Sequence, residues 1–563
     1  MAFDIKNIPF SRYGSFLSVS YLKKRKGLEE GLYLRNIRGG DDNDGAVFKI
    51  DVLAENEVVP FESVLEPTSL ELVSEHGSVK LVMGDVDNVC LSSENVGIRF
   101  TLVRHAYDNA FSRSDKSWQI NVFSKKINFM TTVLEGDLTV DAPWNVNGCE
   151  KVIIDFLPSA KTNKMNGILE EFTITYKNKE FEQDFEVCHK KVKESFQSWQ
   201  EKVLSTPKEY EKGTKQAAYI TWSSMVREEG KLIRPAMYMS KNWMTNIWSW
   251  DHCFNAMALL KHQPELAWDQ LMIFFENQDS TGMLPDFIND EFAYWNCTKP
   301  PIHGWTVLWM LDRSESISNN HLEEIYTPLS KWTNWYFKYR DYNKNGFPEY
   351  HHGNDSGWDN STVFSEGIPI ESPDLCAFLV LQMEALEKIA VRLEKDNEAE
   401  VWKQKQESLL EAFLDYFWKE DYFTAYVADQ QVKTGDSLLL FMPIVLGKRL
   451  PKDILNNLVE GLKDESRFLT DNGLATESVS STYYESDGYW RGPIWAPSTM
   501  LIIDGLYRAG EVGFASELSK RFCNMANKNG MAENFDAITG EGLRDRAFTW
   551  TSSVFLILAN AYV

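Results

Sequence analysis

Carboxylates that share loops with tryptophan and glycine are the residues of this sequence best suited to chemistry. They fall in five segments: Trp248-Ser-Trp-Asp-His252, His303-Gly-Trp305, Asn354-Asp-Ser-Gly-Trp-Asp-Asn-Ser361, Tyr489-Trp-Arg-Gly-Pro-Ile-Trp495 and Glu533-Asn-Phe-Asp536. Function concentrates on loops carried by a rigid scaffold. Indole and phenol faces stack on sugar rings, while Asp, Asn and Arg hydrogen-bond the hydroxyls. The pattern therefore reads as a sugar-binding carboxylate cleft. Hydrolysis of a glycosidic bond needs a protonated carboxyl for the leaving oxygen and an ionised one to activate water or attack carbon. The acid keeps its proton near neutral pH when apolar walls bury it. Asp359, which follows Trp358, suits that role. Asp355, Glu349 and Glu366 lie nearby, and spacing does not separate them from it. Glu477, Glu485, Asp487 and Glu533 are the candidates for the base. Trp309, Trp332 and Trp418 lie on helix faces and are read as core.

The scaffold that must hold these loops is large. The chain has 563 residues, enough for two or three domains, and its 43% hydrophobic and 25% charged content is that of a globular protein. With 58 Lys+Arg against 82 Asp+Glu the net charge is −24, which excludes non-specific nucleic-acid binding. The seven cysteines (Cys90, Cys149, Cys188, Cys253, Cys297, Cys376 and Cys523) are scattered without a CxxC pair, so reduced thiols are expected. The first residues lack a basic segment followed by an apolar one, and no run of 18 or more apolar residues occurs. A cytoplasmic protein without membrane partners is expected; oligomeric state is left open.

The hydrophobic period changes along the chain. Trp118 and Trp144 are the only tryptophans before residue 198, and 17 follow. Short alternating runs such as Val96-Gly-Ile-Arg-Phe-Thr-Leu-Val103, separated by turn clusters, predict an antiparallel β-sandwich over 1–185. A charged linker helix is expected over 186–205. From Thr206-Pro-Lys-Glu209, read as a capping box, the period becomes that of helices. Twelve are expected, near 208–228, 250–262, 264–277, 301–314, 317–341, 372–395, 397–417, 434–446, 451–463, 491–509, 512–528 and 545–562. Ser372-Pro-Asp374 is read as a start, Gly510 and Gly530 as stops. Six helical hairpins closing into an (α/α)6 barrel over 206–563 account for this count. The fold class is mainly α with a β N-terminal domain.

Several of these segments resemble known signatures. Ser356-Gly-Trp-Asp-Asn-Ser361 resembles the signature of trehalases, as do Pro348-Glu-Tyr350 and the Trp250-Asp251 pair. Tyr489-Trp-Arg-Gly-Pro-Ile-Trp495 and Glu533-Asn-Phe-Asp-Ala-Ile-Thr-Gly540 resemble motifs of glycoside hydrolase family 63. The ordered set spans most of 206–563, and the chain resembles that clan. The resemblance implies an (α/α)6 barrel and an inverting glycosidase, with Asp359 as general acid and Glu533 as general base. It further implies that Trp250, Asp251, Glu349, Trp358, Trp490 and Arg491 line the subsite of the cleaved sugar. Exo action on small α-glucosides, α-mannosides or glycosylglycerates follows, with a polysaccharide lyase or a non-catalytic sugar-binding protein as alternatives. Lys299 stands where trehalases carry Gln; a carboxylate such as that of glycerate could face it, or it could be an ordinary surface lysine.

Other motifs carry less. Asp341-Tyr-Asn-Lys-Asn-Gly346 matches half of an EF-hand loop, but His352 occupies the twelfth position, where that loop needs Glu. A structural calcium at Asp341–Asn345 is the one cofactor considered; none is required for the chemistry. Asp41-Asp-Asn-Asp44 reads as a solvated turn. No zinc, nucleotide or serine-hydrolase motif is found.

Overall fold

The structure, a computed structural model, describes residues 3–42, 44–177 and 184–563. Asn43 of the acidic turn, and the residues just before the expected boundary at 185, lie outside the described residues.

Alternating apolar side chains build the first unit, Met1–Glu201 with Trp222–Arg227 and Ser240–Thr245. Its strands form two antiparallel sheets. One orders Leu17–Leu22, Gly31–Asn36, Ala46–Ala54, Gly97–Leu102, Ile153–Leu157 and Asp137–Asp141, with Glu57–Val59 paired to Ala46–Ala54. The other orders Asn109–Ser114, Ser117–Val122, Ile127–Glu135, Lys164–Phe172, Asn88–Glu94, Gly77–Asp85, Ser69–Ser74 and Glu62–Glu66. In the first sheet Phe48, Ile50 and Val52 pair with Leu102, Phe100 and Ile98, so one face is continuously apolar. Phe48 meets Phe129 of the second sheet edge to face, with centroids 5.2 Å apart. This is the expected sandwich. Helix α1 (Phe185–Gln200) is capped by Asp184, whose carboxylate accepts from the Glu186 and Val187 amides. It packs on Gly77–Asp85 and Asn88–Glu94 and clusters with the sheets, where the sequence suggested a linker over 186–205.

The second unit, Lys202–Thr221, Glu228–Met239 and Asn246–Val563, carries the remaining helices. These are α2 (Glu211–Ser224), α3 (Asp251–Leu259), α4 (Pro264–Glu276), α5 (His303–Arg313), α6 (Asn319–Tyr339), α7 (Pro373–Arg392) and α8 (Asp396–Phe417). A 3-10 helix at Leu438–Arg449, α9 (Lys452–Lys463), α10 (Ala496–Ala509), α11 (Val512–Asn529) and α12 (Thr549–Ala561) complete them. Helices α3, α5, α7, the 3-10 helix, α10 and α12 each touch the next, and α12 returns to α3, closing an inner ring. Every residue of α3 and the first eleven of α10 and α12 are buried, as helices walled on all sides must be. Behind them α4, α6, α8, α9 and α11 bury one face each. Chain order alternates outer and inner, which is an (α/α)6 barrel.

Two local details depart from the expected pattern. The segment expected as a helix over 434–446 is the 3-10 helix, broken at Gly447 (φ 54°), because Pro443 has no N–H to continue an α-ladder. The capping box at Thr206–Glu209 is not made: a 3-10 turn at Lys208–Tyr210 precedes α2, and the Thr206 hydroxyl meets that of Thr214 at 2.6 Å.

Inner-ring spacing is tight. A Cβ on Gly304 of α5 would fall 2.3 Å from Gln382 Cα of α7, so those backbones touch. Asp504 of α10, fully buried, ties the ring's far end: it accepts from Trp305 Nε1 (2.8 Å), Tyr562 Oη (2.7 Å) and Arg508 Nε (2.7 Å). Removing one partner of a buried network leaves the others unsatisfied. Asp504→Ala is expected to cost about 3–5 kcal/mol in urea unfolding; a loss below about 1 kcal/mol would show that the network adds little.

Candidate active site

Asp359 is placed by its loop. After the 3-10 turn Gly353–Ser356 the chain reverses at Gly357, in the left-handed region at φ 70°. A Cβ there would lie 2.5 Å from the Trp250 ring, so both the turn and the close approach require glycine. The Trp358 amide donates to Ser356 Oγ (3.1 Å), and the Ser361 amide donates to the Trp358 carbonyl (2.8 Å). Asn360 reaches across: its Nδ2 donates to the Gly488 carbonyl (3.0 Å), and its Oδ1 accepts from the Trp490 amide (2.9 Å). The 356–361 and 488–490 loops are thereby locked together.

Glu533 is placed by a hairpin. Ile494–Trp495, Asn534–Phe535 and Gly542–Leu543 form a three-stranded sheet, and the Glu533 amide donates to the Asp545 carbonyl at 2.7 Å. The indole of Trp550 donates to the Glu533 carbonyl (3.3 Å).

Between these loops stands an aromatic wall. Trp490 stacks on Trp495 (4.1 Å) and tilts against Trp358 (4.8 Å) and Trp250 (6.3 Å), while Trp250 meets Trp550 edge to face (5.8 Å). Trp250, Trp358 and Trp490 are all buried, so they back the carboxylates as a dry wall, not as open stacking faces.

The carboxylates themselves sort by what they already bind. Asp355 accepts from Arg340 Nη1, the Thr298 amide and the His351 amide; Glu477 accepts from the Thr362 and Ser481 hydroxyls and the Asp436 amide. Glu366 is taken by the Lys433 and Thr434 amides, Glu485 by Arg491, and Asp487 by Arg544. Among the described residues the side chains of Asp359 and Glu533 accept no hydrogen bond. Burial pushes Glu533 up to about 8; Asp545 and Asp359 add to the rise and Arg544 opposes it. Tyr489 links the two electrostatically: burial raises its phenol far above the usual range, and Asp359 and Glu533 raise it further.

Asp251, at the start of α3, joins the same centre. Burial raises its carboxyl strongly, Lys299 opposes that, and Asp286 and Asp359 reinforce it; Oδ2 is buried without a hydrogen-bond partner. Lys299 is buried, so the surface reading of this residue falls. Its Nζ pairs with Asp286 (3.0 Å) and donates to the Asn354 carbonyl (2.8 Å). Burial alone would lower the Lys299 ammonium, but Asp286, Asp359 and Asp251 outweigh it and hold it charged. Asp286, Lys299, Arg544 and Asp545 complete the centre. Sequence reading passed over Asp286, Arg544 and Asp545, which carry no tryptophan neighbour to mark them.

Glu349 lies elsewhere than expected. It pairs with Glu371 in the bridge between Glu349–Tyr350 and Ile370–Glu371, and burial, Glu371 and Asp341 raise its carboxyl. Arg491 pairs with Glu485 at 3.2 Å on the rim. Glu349 therefore belongs to the Asp341–Asn345 turn. There Asp341 Oδ1 and Glu349 Oε2 are buried without hydrogen-bond partners, and Asn343 and Asn345 turn their amides on Glu371 Oε1 (2.8 and 2.7 Å). An all-oxygen set with orphaned carboxylate oxygens fits a hard cation. Among the described residues no three His, Cys, Asp or Glu side chains converge as metal ligands, so the asparagine carbonyls would have to complete it.

A carboxylate pair at the loops of an (α/α)6 barrel is an arrangement that can hydrolyse a glycosidic bond. Residues 244–551, more than half of the chain, match the mannosylglycerate hydrolase MGH1-like glycoside hydrolase domain, and the protein belongs to that family. The mannosylglycerate hydrolase of Rubrobacter radiotolerans is 22% identical over 401 residues, covering 55% of this chain and 89% of its own. The glucosylglycerate hydrolase of Mycolicibacterium hassiacum is also 22% identical, over 407 residues, covering 55% and 91%. A bacterial glucoamylase solved with acarbose superposes with a TM-score of 0.60 at 11% identity, covering 99% of this chain and 94% of its own, which shows a shared fold. The protein is an α-glycosidase; the lyase and non-catalytic alternatives are not favoured.

The buried Glu533 carboxyl has a consequence for stability. Its native value of about 8 lies above the ordinary 4.5 of the unfolded chain. Its contribution is therefore complete below about pH 4.5 and is lost as pH rises through about 8. Glu533→Gln removes this loss. The variant is expected to exceed the parent by on the order of a few kcal/mol at pH 8 and to match it at pH 4.5 in urea titrations. Equal midpoints at both pH values would contradict the burial of a protonated Glu533.

Proposed function

We propose that the protein is an exo-acting, inverting α-glycosidase whose substrate is a small glycosylglycerate, with Asp359 as general acid and Glu533 as general base. The observation that carries this is the sorting of carboxylates: these two stand in one another's field with no hydrogen bond spent, whereas Asp355, Glu366, Glu477, Glu485 and Asp487 are engaged. The names of the two relatives support the substrate class. Asp359 gives its proton to the glycosidic oxygen as the bond to the anomeric carbon breaks. Water enters from the opposite face and passes its proton to ionised Glu533. Asp251 holds hydroxyls of the sugar, and the Trp250–Trp358–Trp490 wall keeps the space dry, which strengthens every charge inside it. We also propose a cytoplasmic location, supported by seven free thiols; among the described residues no helix is long and apolar enough to cross a membrane.

A calcium ion is proposed as structural only, held by Asp341, Asn343, Asn345 and Glu349, with no part in the reaction. Adding calcium should raise the melting temperature of the parent and not that of Asp341→Asn; a parent indifferent to both calcium and chelator would remove the ion from the account.

The assignment of roles is tested by leaving group and by pH. Asp359→Asn should lose about 10²–10⁴-fold on a glycosylglycerate yet retain turnover of an activated aryl glycoside, which needs no proton; Glu533→Gln should lose both. The kcat/KM of the parent should climb with pH toward about 8 as Glu533 ionises. A profile that instead falls above about 8 would reverse the two roles, and retention of the product anomer by NMR would replace the mechanism.

A further inference from the structure

A glycosylglycerate brings a carboxylate to the aglycone side of the cleaved bond, and a cation must meet it there. Lys299 interacts electrostatically with Asp359, and Arg544 with Glu533. Lys299 is buried and already committed to Asp286 and the Asn354 carbonyl, inside the ring of carboxylates behind Asp359. Arg544 is different. The hairpin register pairs Asn534 with Leu543 and Phe535 with Gly542, which carries Glu533 opposite Arg544. Its guanidinium lies 4.8 Å from the centre of the Tyr489 ring, the ring whose hydroxyl senses Asp359, Glu533 and Arg544 alike. Both residues take the left-handed backbone that side chains rarely adopt, Tyr489 at φ 65° and Arg544 at φ 56°.

The partner of Arg544 is replaceable. Nη2 lies 2.8 Å from Asp487 Oδ1, but the two side chains are 35% and 61% exposed, and an ion pair so open to water adds little. A guanidinium can turn two parallel N–H groups on a carboxylate. Resting on the proposed glycosidase reading, we infer that Arg544 is the specificity-determining residue for an anionic aglycone: the substrate carboxylate takes the place of Asp487 on the guanidinium while Tyr489 supports the guanidinium's face. Asp487 guards the cation when the site is empty and competes weakly with the substrate.

The test is a ratio. The kcat/KM for glucosylglycerate and mannosylglycerate is divided by that for glucosylglycerol and mannosylglycerol, which keep the sugar and lose the charge. The parent should favour the charged members. Arg544→Gln should lower the ratio by about 10- to 100-fold, Arg544→Lys by less, and Asp487→Asn should raise it. Arg544 also eases ionisation of Glu533, so its removal alters turnover of both classes; the ratio cancels that shared effect. A ratio within about twofold of the parent in Arg544→Gln, or unmoved in Asp487→Asn where the arginine variant does not fold, overturns the inference while leaving the glycosidase intact. A parent that prefers the neutral glycosides overturns it as well. A parent that cleaves none of the four compounds, yet is folded by circular dichroism, overturns the substrate reading on which the inference rests.

Discussion

Everything at the centre depends on keeping Glu533, a buried carboxyl without hydrogen bonds, in the field of a second carboxyl, Asp359. A buried ionised carboxylate without partners is strongly unfavourable, and a folding chain relieves it by protonation or by moving the group to solvent. Glu533 takes the first route, and burial is the main reason. The second route is closed by geometry: the main chain on either side of Glu533 is held by the Asp545 carbonyl and the Trp550 indole. The cost must be offset elsewhere, and the inner ring of nearly all-buried helices is where the surplus lies.

The aromatic wall serves this constraint more than it serves recognition. Tryptophans that stack on substrate present a face to solvent, but Trp250, Trp358 and Trp490 do not. Their rings lie on one another and on Trp495 and Trp550, filling the volume behind the loops. Excluding water from one side lowers the local dielectric, so a charge on Asp359 is felt at Glu533, Tyr489 and Asp251. Gly357 is the smallest part of this arrangement and among the least replaceable, since the Trp250 ring occupies the place of its side chain.

What could be read from the sequence divides along physical lines. Helices such as α6 and α8 were legible because each carries a sustained apolar period, and the loops around Asp359 and Glu533 were legible because their residues resemble known motifs. The 3-10 helix was read as α because Leu438–Leu446 is apolar throughout; periodicity cannot register the hydrogen bond that Pro443 removes. The capping box failed for a related reason: residue types permitted it, but the Thr206 hydroxyl found Thr214 instead. Glu349 was expected in the sugar subsite because Pro348-Glu-Tyr350 resembles a trehalase segment. Only the pairing of Glu349 with Glu371 turns it toward the Asp341 turn. Asp286 and Arg544 were invisible, since a lone aspartate and a lone arginine acquire meaning only from what the fold sets beside them.

Lys299 shows how such a meaning arises. Three carboxylates, Asp251, Asp286 and Asp359, share its ammonium, and burial holds Asp251 and Asp286 above their ordinary values. One positive charge faces three carboxyl groups, and Asp251 and Asp286 are pushed toward their neutral forms by burial and by Asp359. A glutamine at the same position would hydrogen-bond a sugar equally well but would leave the acids with no compensation. With lysine, one positive charge is already in place beside Asp251, Asp286 and Asp359. That ion cluster is buried, whereas the Arg544–Asp487 pair lies open to water.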